Sequence, residues 1–313
     1  MRRGMWGMGL WGLAAPLAAQ SLEPRAYSPA PVGMNFILIG TAFTSGALPE
    51  DPALPLTDSQ IETSGVVLGY VRTFDAGGKL GRVELVVPVT RLEGRALFNG
   101  APVEREVTGS GDPTMRLSAI LHGAPAMNAR QFRSFRQDWL VGTSVLVQLP
   151  LGQYDPSRLV NLGANRFAVR PEIAVSRALG RLVLEGTAAA SLFSDNRDFF
   201  GGATRTQDPL FSTRMHASFS FPKGGWVSLD STFFTGGRSA VDGVLRNDFN
   251  SNWRTGMTLT LPVSRALSLR LFGSTGVTPR TGQNFDLAGA ALQFRWLDPK
   301  EARRAAAFSA LDL

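Results

Sequence analysis

Apolar and polar side chains alternate in the stretch MTLTLPVSRALSLRLFG, which begins at Met257. Leu259 and Leu261 share the face of Met257, and Thr258 and Thr260 share the opposite face. A period of two predicts a β-strand whose faces meet different surroundings, and the short break that follows predicts a hairpin turn into a second strand. A protein interior and a lipid bilayer would both suit the apolar face, so the rest of the chain has to distinguish them.

The same period recurs through most of the chain and predicts about twelve strands. Most of them exceed the roughly five or six residues usual in soluble sheets and match the roughly 9 to 11 residues with which a tilted strand crosses a bilayer. The predicted strands cover residues 33–45, 60–74, 79–90, 113–122, 139–149, 166–177, 181–193, 208–221, 225–235, 252–263, 266–276 and 285–296.

The predicted connections alternate in length. Short turns follow even-numbered strands, at residues 75–78, 178–180, 222–224 and 264–266. Long polar loops follow odd-numbered strands, at residues 46–59, 91–112, 151–165, 194–207, 236–251 and 277–284. One longer link, residues 123–138, follows an even strand, and its NARQFRSFRQD portion predicts a short periplasmic helix. This rhythm is typical of an outer-membrane barrel with periplasmic turns at one end and external loops at the other.

The N-terminus has the pattern of a secretory signal, with two arginines ahead of an apolar stretch and small residues. We divide the chain into a signal peptide, a Pro-rich N-terminal segment, the barrel and a periplasmic C-terminal tail, over residues 1–20, 21–32, 33–296 and 297–313. A further hypothesis is that Leu22–Val32 folds into the barrel lumen as a plug.

Strand length, loop rhythm and export together predict an all-β fold, a transmembrane antiparallel up-and-down β-barrel of about twelve strands. The expected location is the outer membrane of a Gram-negative bacterium, and the leucines of the opening stretch then face lipid. A large soluble sandwich is the alternative, but it would have to explain the three observations separately.

Aromatic residues lie at or near the predicted strand ends, where an interfacial girdle would need them. They are Phe74, Trp139, Phe193, Phe221, Trp226, Phe233, Trp253, Phe285 and Trp296. Packing in an ordinary protein core is the alternative explanation for the same positions.

Composition and charge narrow the classes of partner. The chain has no cysteine, which excludes thiol chemistry, iron–sulfur clusters and disulfides. The formal charge is +7, but the arginines are scattered singly through the strands, so no nucleic acid is expected as a partner. The expected partners are outer-membrane lipid, a small-molecule solute and the barrel-assembly machinery.

The polar faces of the predicted strands line the lumen and carry charges of both signs. A barrel of this size leaves a modest channel once its inward side chains are in place, so opposite charges can pair across the interior. We predict a narrow lumen with a constriction formed by Arg170, Glu172, Glu185, Arg214, Asp230, Arg254 and Arg270. The excess of arginine would favour anions or polarised ring systems. A solvated lumen without a constriction is the alternative.

Few residues offer catalysis or metal binding. Ser218, His216 and Asp230 form a possible serine, histidine and acid set, but the spacing of a nucleophile elbow is missing. The carboxylates within residues 195–208 suggest a Ca²⁺ loop, although Asx turns at a hairpin tip explain them better. We expect no enzyme activity, no metal and no cofactor.

Seven ordered segments resemble a known family, over about residues 22–296. They are LEPRAYSPAPVGMNF, GDPTMRLSAILHGAPA, PLGQYDPSRLVNLGANRF, PEIAVSRALG, DNRDFFGGATRTQDPLFS, STFFTGGRSAVDG and STGVTPRTGQNFD. The chain is similar to the outer-membrane proteins assigned to the MetA pathway of phenol degradation. This resemblance implies an outer-membrane β-barrel transporter linked with uptake of phenol-like or other small hydrophobic molecules.

Pattern and resemblance together predict an outer-membrane channel for passive uptake of small, hydrophobic or aromatic solutes. The alternative is a closed scaffold barrel whose loops or tail bind a partner. The C-terminus departs from the usual barrel pattern, because LQFRW ends at Trp296 as a closing strand would, yet residues 297–313 follow it. Within them, Pro299–Ala310 suits either a short amphipathic helix or a disordered tail.

Overall fold

Strands dominate the computed structural model, which describes residues 24–47, 56–98, 100–276, 284–299 and 301. The strands are β1 (Met34–Ala47), β2 (Leu56–Asp75), β3 (Leu80–Phe98), β4 (Ala101–Ser110), β5 (Thr114–His122), β6 (Trp139–Gln148), β7 (Ala168–Leu179), β8 (Leu182–Phe193), β9 (Asn196–Phe199), β10 (Ala203–Gln207), β11 (Leu210–Ser220), β12 (Trp226–Gly236), β13 (Ser239–Val241), β14 (Val244–Leu245), β15 (Asn250–Pro262), β16 (Leu267–Gly276) and β17 (Asn284–Leu297). The α-helix α1 (Ala129–Ser134) and a 3-10 turn, Phe200–Gly202, are added to them. No helix among the described residues is long and apolar enough to cross a membrane.

Twelve of these strands form a closed antiparallel ring. β2 pairs with β1 and β3, and the ring continues through β5, β6, β7, β8, β11, β12, β15, β16 and β17. It closes where β17 pairs with β1, from Met34 opposite Leu297 to Ala47 opposite Asn284. A closed ring leaves no unpaired strand edge in the bilayer. The predicted all-β barrel of about twelve strands is confirmed.

Exposure alternates along the wall strands. On β15, Thr258 and Thr260 are 1% and 7% exposed, whereas Met257 and Leu261 are 53% and 40% exposed. A wall with apolar side chains outside and polar side chains inside suits a barrel that stands in lipid around a polar lumen. The faces predicted for this strand are confirmed.

The prediction of a loop at residues 91–112 is wrong. The structure continues β3 through this region and returns through β4 as a hairpin beyond the rest of the wall. Arg91 makes ion pairs with Glu93 at 3.0 Å and Glu106 at 2.9 Å on the exposed face, while Leu92 on the other face is buried. The charges suggested a loop, but above the bilayer the outer face of a strand is charged because it meets water.

A second, smaller sheet occupies two of the predicted external loops. Its order is β14, β13, β10, β9, and it draws its strands from the loops predicted at residues 194–207 and 236–251. Arg166 links this sheet to the wall, because its guanidinium lies 4.5 Å from the centre of the Phe193 ring and donates to Gln207 Oε1. Burial lowers the pKa of Arg166 to about 9.

The link between β5 and β6 contains the predicted short helix, α1. Asn128 caps it, because its side-chain oxygen accepts from the backbone N–H groups of Arg130 at 3.0 Å and Gln131 at 2.9 Å. The Gln131 side chain accepts in return from the Asn128 backbone N–H. This capping box explains why a helix begins at this point of the link.

The predicted aromatic girdle is correct only in part. Trp139 is 47% exposed on the outside of the wall. Trp226 is 9% exposed and faces the lumen instead, where Arg25 lies 5.0 Å from its ring centre. Phe285 also lies on the inner side, with the buried Arg254 guanidinium 3.8 Å from its ring centre. The parity of a position along its strand, and not its distance from the strand end, decides which face an aromatic side chain joins.

Several predictions fall on residues outside the described ranges. The signal peptide at residues 1–20 does so entirely, and so do residues 302–313 of the tail, which hold most of the helix proposed at Pro299–Ala310. The division of the chain into four segments therefore stays a prediction. The Pro-rich segment is described from Pro24 onward.

Candidate functional site in the barrel lumen

The seven charged residues predicted to form a constriction lie on the inner side of six wall strands. All but one are at most 7% exposed, and Arg270 is half-buried. They divide into groups around the wall, carried by β7, β8, β11, β12, β15 and β16. Their joint action as a constriction stays a prediction.

The first group pairs opposite charges from different strands. Glu172 on β7 forms an ion pair with Arg214 on β11, and the two side chains are 2% and 7% exposed. Arg116 on β5 lies 3.9 Å from Glu84 on β3. Buried charges are tolerated when each one has a partner of opposite sign, because the partner offsets part of the lost hydration. Arg170 and Glu185 are buried beside this group on β7 and β8.

The second group is centred on the Asp230 carboxylate of β12. His216 Nδ1 lies 2.7 Å from Asp230 Oδ1, Ser228 Oγ donates to Oδ1 at 2.6 Å, and Thr258 Oγ1 donates to Oδ2 at 3.2 Å. All four residues are at most 3% exposed. Ser228, rather than the Ser218 of the possible catalytic set, bonds to this carboxylate. The arrangement ties together β11, β12 and β15.

The remaining two arginines of the predicted set donate hydrogen bonds to residues of nearby wall strands. Arg254 on β15 donates to Ser274 Oγ and to the Phe285 carbonyl oxygen, both at 2.9 Å. Arg270 on β16 donates to Gln293 Oε1 at 3.3 Å. The predicted residues therefore form separate groups around the lumen.

Residues 24–33, here named the N-terminal segment, cross the lumen. On one side the Pro31 carbonyl oxygen accepts from Thr73 Oγ1 of β2 at 2.6 Å. On the other side Arg25 donates to Ser220 Oγ of β11 at 2.6 Å. Because β2 and β11 stand on opposite sides of the ring, the segment spans the width of the barrel. This path agrees with the hypothesis of a luminal plug.

Tyr27 is the buried side chain in the middle of this segment. Its hydroxyl oxygen lies 2.9 Å from both Ser144 Oγ of β6 and Glu172 Oε1 of β7, and the residue is 3% exposed. Its ring belongs to an apolar cluster with Leu80, Ile120, Ala124, Met127, Leu140 and Ala174. The sequence pattern singled out neither Tyr27 nor Ser144. The alternation of β6 places Ser144 inward, but its neutral hydroxyl carries no charge that would mark it as a site residue.

The loop between β6 and β7 folds against the external hairpin. Leu162 in this loop is 1% exposed and packs with Leu92 and Val107. The Asp112 carboxylate accepts from the backbone N–H groups of Gly152 at 2.9 Å and Ala164 at 2.8 Å. These contacts fix the loop at the external end of the barrel.

Within the described ranges, no group of three or more His, Cys, Asp or Glu side chains is placed to hold a metal ion. In the loop considered for Ca²⁺, Asn196 Oδ1 accepts from the Asp198 backbone N–H at 3.1 Å. A side-chain oxygen bonded to the backbone two residues on is an Asx turn, which accounts for the pattern seen in the sequence.

Comparison with solved structures places this fold among outer-membrane barrels. An outer membrane channel from Pseudomonas putida F1 aligns with a TM-score of 0.75 and 17% identity, over 88% of this chain and 100% of that chain. The transport unit of the autotransporter AIDA-I from Escherichia coli aligns with a TM-score of 0.52 and 9% identity, over 90% of this chain and 95% of that chain. At these identities the likeness concerns the fold. No match was found among curated proteins.

A family model matches residues 44–296. The match begins within β1 and ends one residue before the end of β17, so it takes in the wall of the barrel. It names the same family as the seven ordered segments. The chain belongs to the family described as the MetA-pathway of phenol degradation.

Proposed function

We propose that this protein is an outer-membrane channel for the passive uptake of small hydrophobic or aromatic solutes. The main support for this proposal is the space inside the barrel. The side chains of the wall leave enough room in the lumen for the N-terminal segment, residues 24–33. A space that holds a stretch of chain also holds a small solute once that chain moves aside. The family description names phenol degradation, and the similar Pseudomonas putida structure is an outer membrane channel.

The N-terminal segment is attached to the wall but is not one of its strands. Arg82 donates to the carbonyl oxygens of Ala26 and Ser28, and the Val32 backbone N–H donates to the Met127 carbonyl at 2.8 Å. A neutral hydrogen bond such as the one to Met127 contributes about 0.5–1.5 kcal/mol net, and one from a charged group such as Arg82 contributes about 1.5–3 kcal/mol. Because none of these bonds belongs to the strand pairing of the wall, the segment can leave its place without disrupting the ladder of the barrel.

Uptake by whole cells tests the proposed function. Cells that carry the protein should accumulate radiolabelled toluene and p-cresol several-fold faster at low external concentration than cells from which its gene is deleted. The physical reason is that the outer leaflet hinders apolar solutes, whereas a protein lumen bypasses it. Labelled glucose serves as the control and should enter both strains equally. Equal rates of entry for the aromatic solutes would contradict the proposal.

A closed scaffold barrel is the second candidate, and one observation favours it. Val244 and Leu245 on β14 of the external sheet are 61% and 65% exposed, and an exposed apolar tip suits a protein partner. A scaffold predicts no difference between the two strains in the uptake experiment. The V244S/L245S double variant tests the scaffold directly, because making this tip polar should abolish binding of a protein partner there, whereas a channel retains its uptake.

The same proposal includes three further expectations. It assigns no catalytic role to His216 or Asp230, whose bond ties strands together. It expects the barrel-assembly machinery to recognise the end of β17, where the rings of Phe294 and Trp296 stack 5.7 Å apart. It also expects removal of a signal peptide between Ala18 and Ser21.

A further inference from the structure

Tyr27 places a phenol group in a fitted slot of the barrel wall. Its hydroxyl is held by Ser144 Oγ and Glu172 Oε1, both 2.9 Å away. Its ring packs in the apolar cluster that includes Leu140 and Ala174. The side chain is therefore bound as a free phenol would be, with the ring in apolar surroundings and the hydroxyl on a charged acceptor.

Gly142 on β6 gives the slot its shape. A Cβ atom at this position would lie 2.8 Å from Tyr27 Cε1, which is closer than packed carbon atoms approach. A glycine inside a strand commonly marks a place where another group lies close against the backbone. The wall thus has a recess at the position of the aromatic ring, next to the serine that meets the hydroxyl.

We propose that the recess bounded by Leu140, Gly142, Ser144, Glu172 and Ala174 is a binding site for monocyclic phenols. Tyr27 is its resident occupant, and a phenolic solute replaces it when the N-terminal segment withdraws. The inference rests on the proposed function, because it names the solute class that the lumen accepts. The tyrosine side chain is p-cresol joined to the backbone, so a recess that fits one fits the other.

The hydroxyl contacts give the recess a preference among aromatic solutes. Toluene would fill the apolar part but would leave Ser144 and Glu172 without the hydroxyl partner. A buried polar group that loses its hydrogen bond disfavours the ligand that fails to supply it. The recess therefore selects phenols over hydrocarbons of the same shape, while an anchor for the plug alone would show no affinity for free phenols.

Fluorine NMR with ring-fluorinated p-cresol and ring-fluorinated toluene, on purified protein in lipid nanodiscs, tests this inference. Tyr27→Ala empties the recess, and we expect it to bind p-cresol at least about tenfold more tightly than the wild type does. We expect the same variant to prefer p-cresol over toluene by about tenfold or more. Heat-modifiable gel migration verifies that the barrel is folded.

Two double variants provide matched controls in the same background. Y27A/G142A places a methyl group where the ring would lie and should lose the gain in p-cresol binding. Y27A/S144A removes one hydroxyl partner and should reduce the preference for p-cresol over toluene. In the wild type, saturating p-cresol should accelerate trypsin cleavage at Arg25 by displacing the segment, whereas toluene should not.

Binding is measured here without transport, so its failure is distinct from failure of the proposed function. If Y27A binds no more p-cresol than Y27A/G142A, or binds toluene equally well, the inference is wrong even where cells take up aromatic solutes. If the binding results are as expected but cells show no uptake, the phenol site is supported and the proposed channel function is contradicted. If saturating p-cresol leaves the rate of cleavage at Arg25 unchanged, the proposal that a phenolic solute replaces Tyr27 is wrong.

Discussion

Leu117 and Leu121 project from the outer face of the same strand, β5, and meet different surroundings. They are 57% and 47% exposed. Leu117 lies within the strand, opposite Val83 and Val145 of its neighbours. Leu121 is next to the strand end, and its carbonyl oxygen accepts from Lys79 Nζ at 2.8 Å. An ammonium group at this level marks the membrane surface, since lysine avoids the apolar interior of the bilayer.

We expect Leu117→Arg to lower the free energy of unfolding by about 2–4 kcal/mol, and Leu121→Arg to lower it by about 0–1 kcal/mol. The difference arises because the cost of placing arginine in a barrel wall grows with depth in the bilayer. Urea unfolding in lipid vesicles measures both values on the same strand and for the same substitution. Equal losses at the two positions would show that the membrane level inferred from Lys79 is incorrect.

At the scale of elements, the loop between β6 and β7 contains one buried leucine and one exposed leucine. Leu162 is 1% exposed against the external hairpin, whereas Leu151 in the same loop is 68% exposed. Leu162→Ala removes about 2–5 kcal/mol of packing and should let the loop open locally. Trypsin should then cleave after the exposed Arg158 at least about tenfold faster. Leu151→Ala should leave the rate unchanged, and acceleration by both variants would contradict a specific anchor.

The wall strands were predictable from the sequence because each has two different surroundings. Thr258 and Met257 follow the alternation, and the structure places them inside and outside as expected. The external hairpin was not predictable in this way, since Arg91 and Glu93 project into water and the apolar signal of a membrane strand is lost there. The position of Trp226 near a strand end predicts an interfacial side chain, but its parity in the strand turns it inward.

At the scale of the whole molecule, the lumen depends on contacts that the sequence pattern does not reveal. The Glu172 and Arg214 pair joins β7 and β11 across β8, and Tyr27 reaches Glu172 from the N-terminal segment inside the lumen. Alternation assigned these charges to the inner face. It did not determine which of them meet, because that depends on how the ring closes and on the path of the N-terminal segment.

Conductance in planar bilayers tests the proposed constriction. We expect a small conductance for the wild type and a rise of about twofold or more for Arg214→Ala and Arg254→Ala, since each removes a bulky charge from the inner face. Arg158→Ala, at an exposed external position, is the matched control and should leave the conductance unchanged. A large wild-type conductance that neither luminal substitution alters would remove these residues from the proposed constriction.

The pairing of Met34 with Leu297 also sets the order in which the barrel is completed. Each other wall pairing joins strands that are successive members of the ring in chain order, whereas this seam joins the first strand to the last. Closing it brings together the first and last strands of the wall, which is the largest loop-closure penalty among the wall pairings. Until then β1 and β17 are open edges that can pair with another molecule. The nascent barrel is therefore most vulnerable to aggregation just before its last strand is in place.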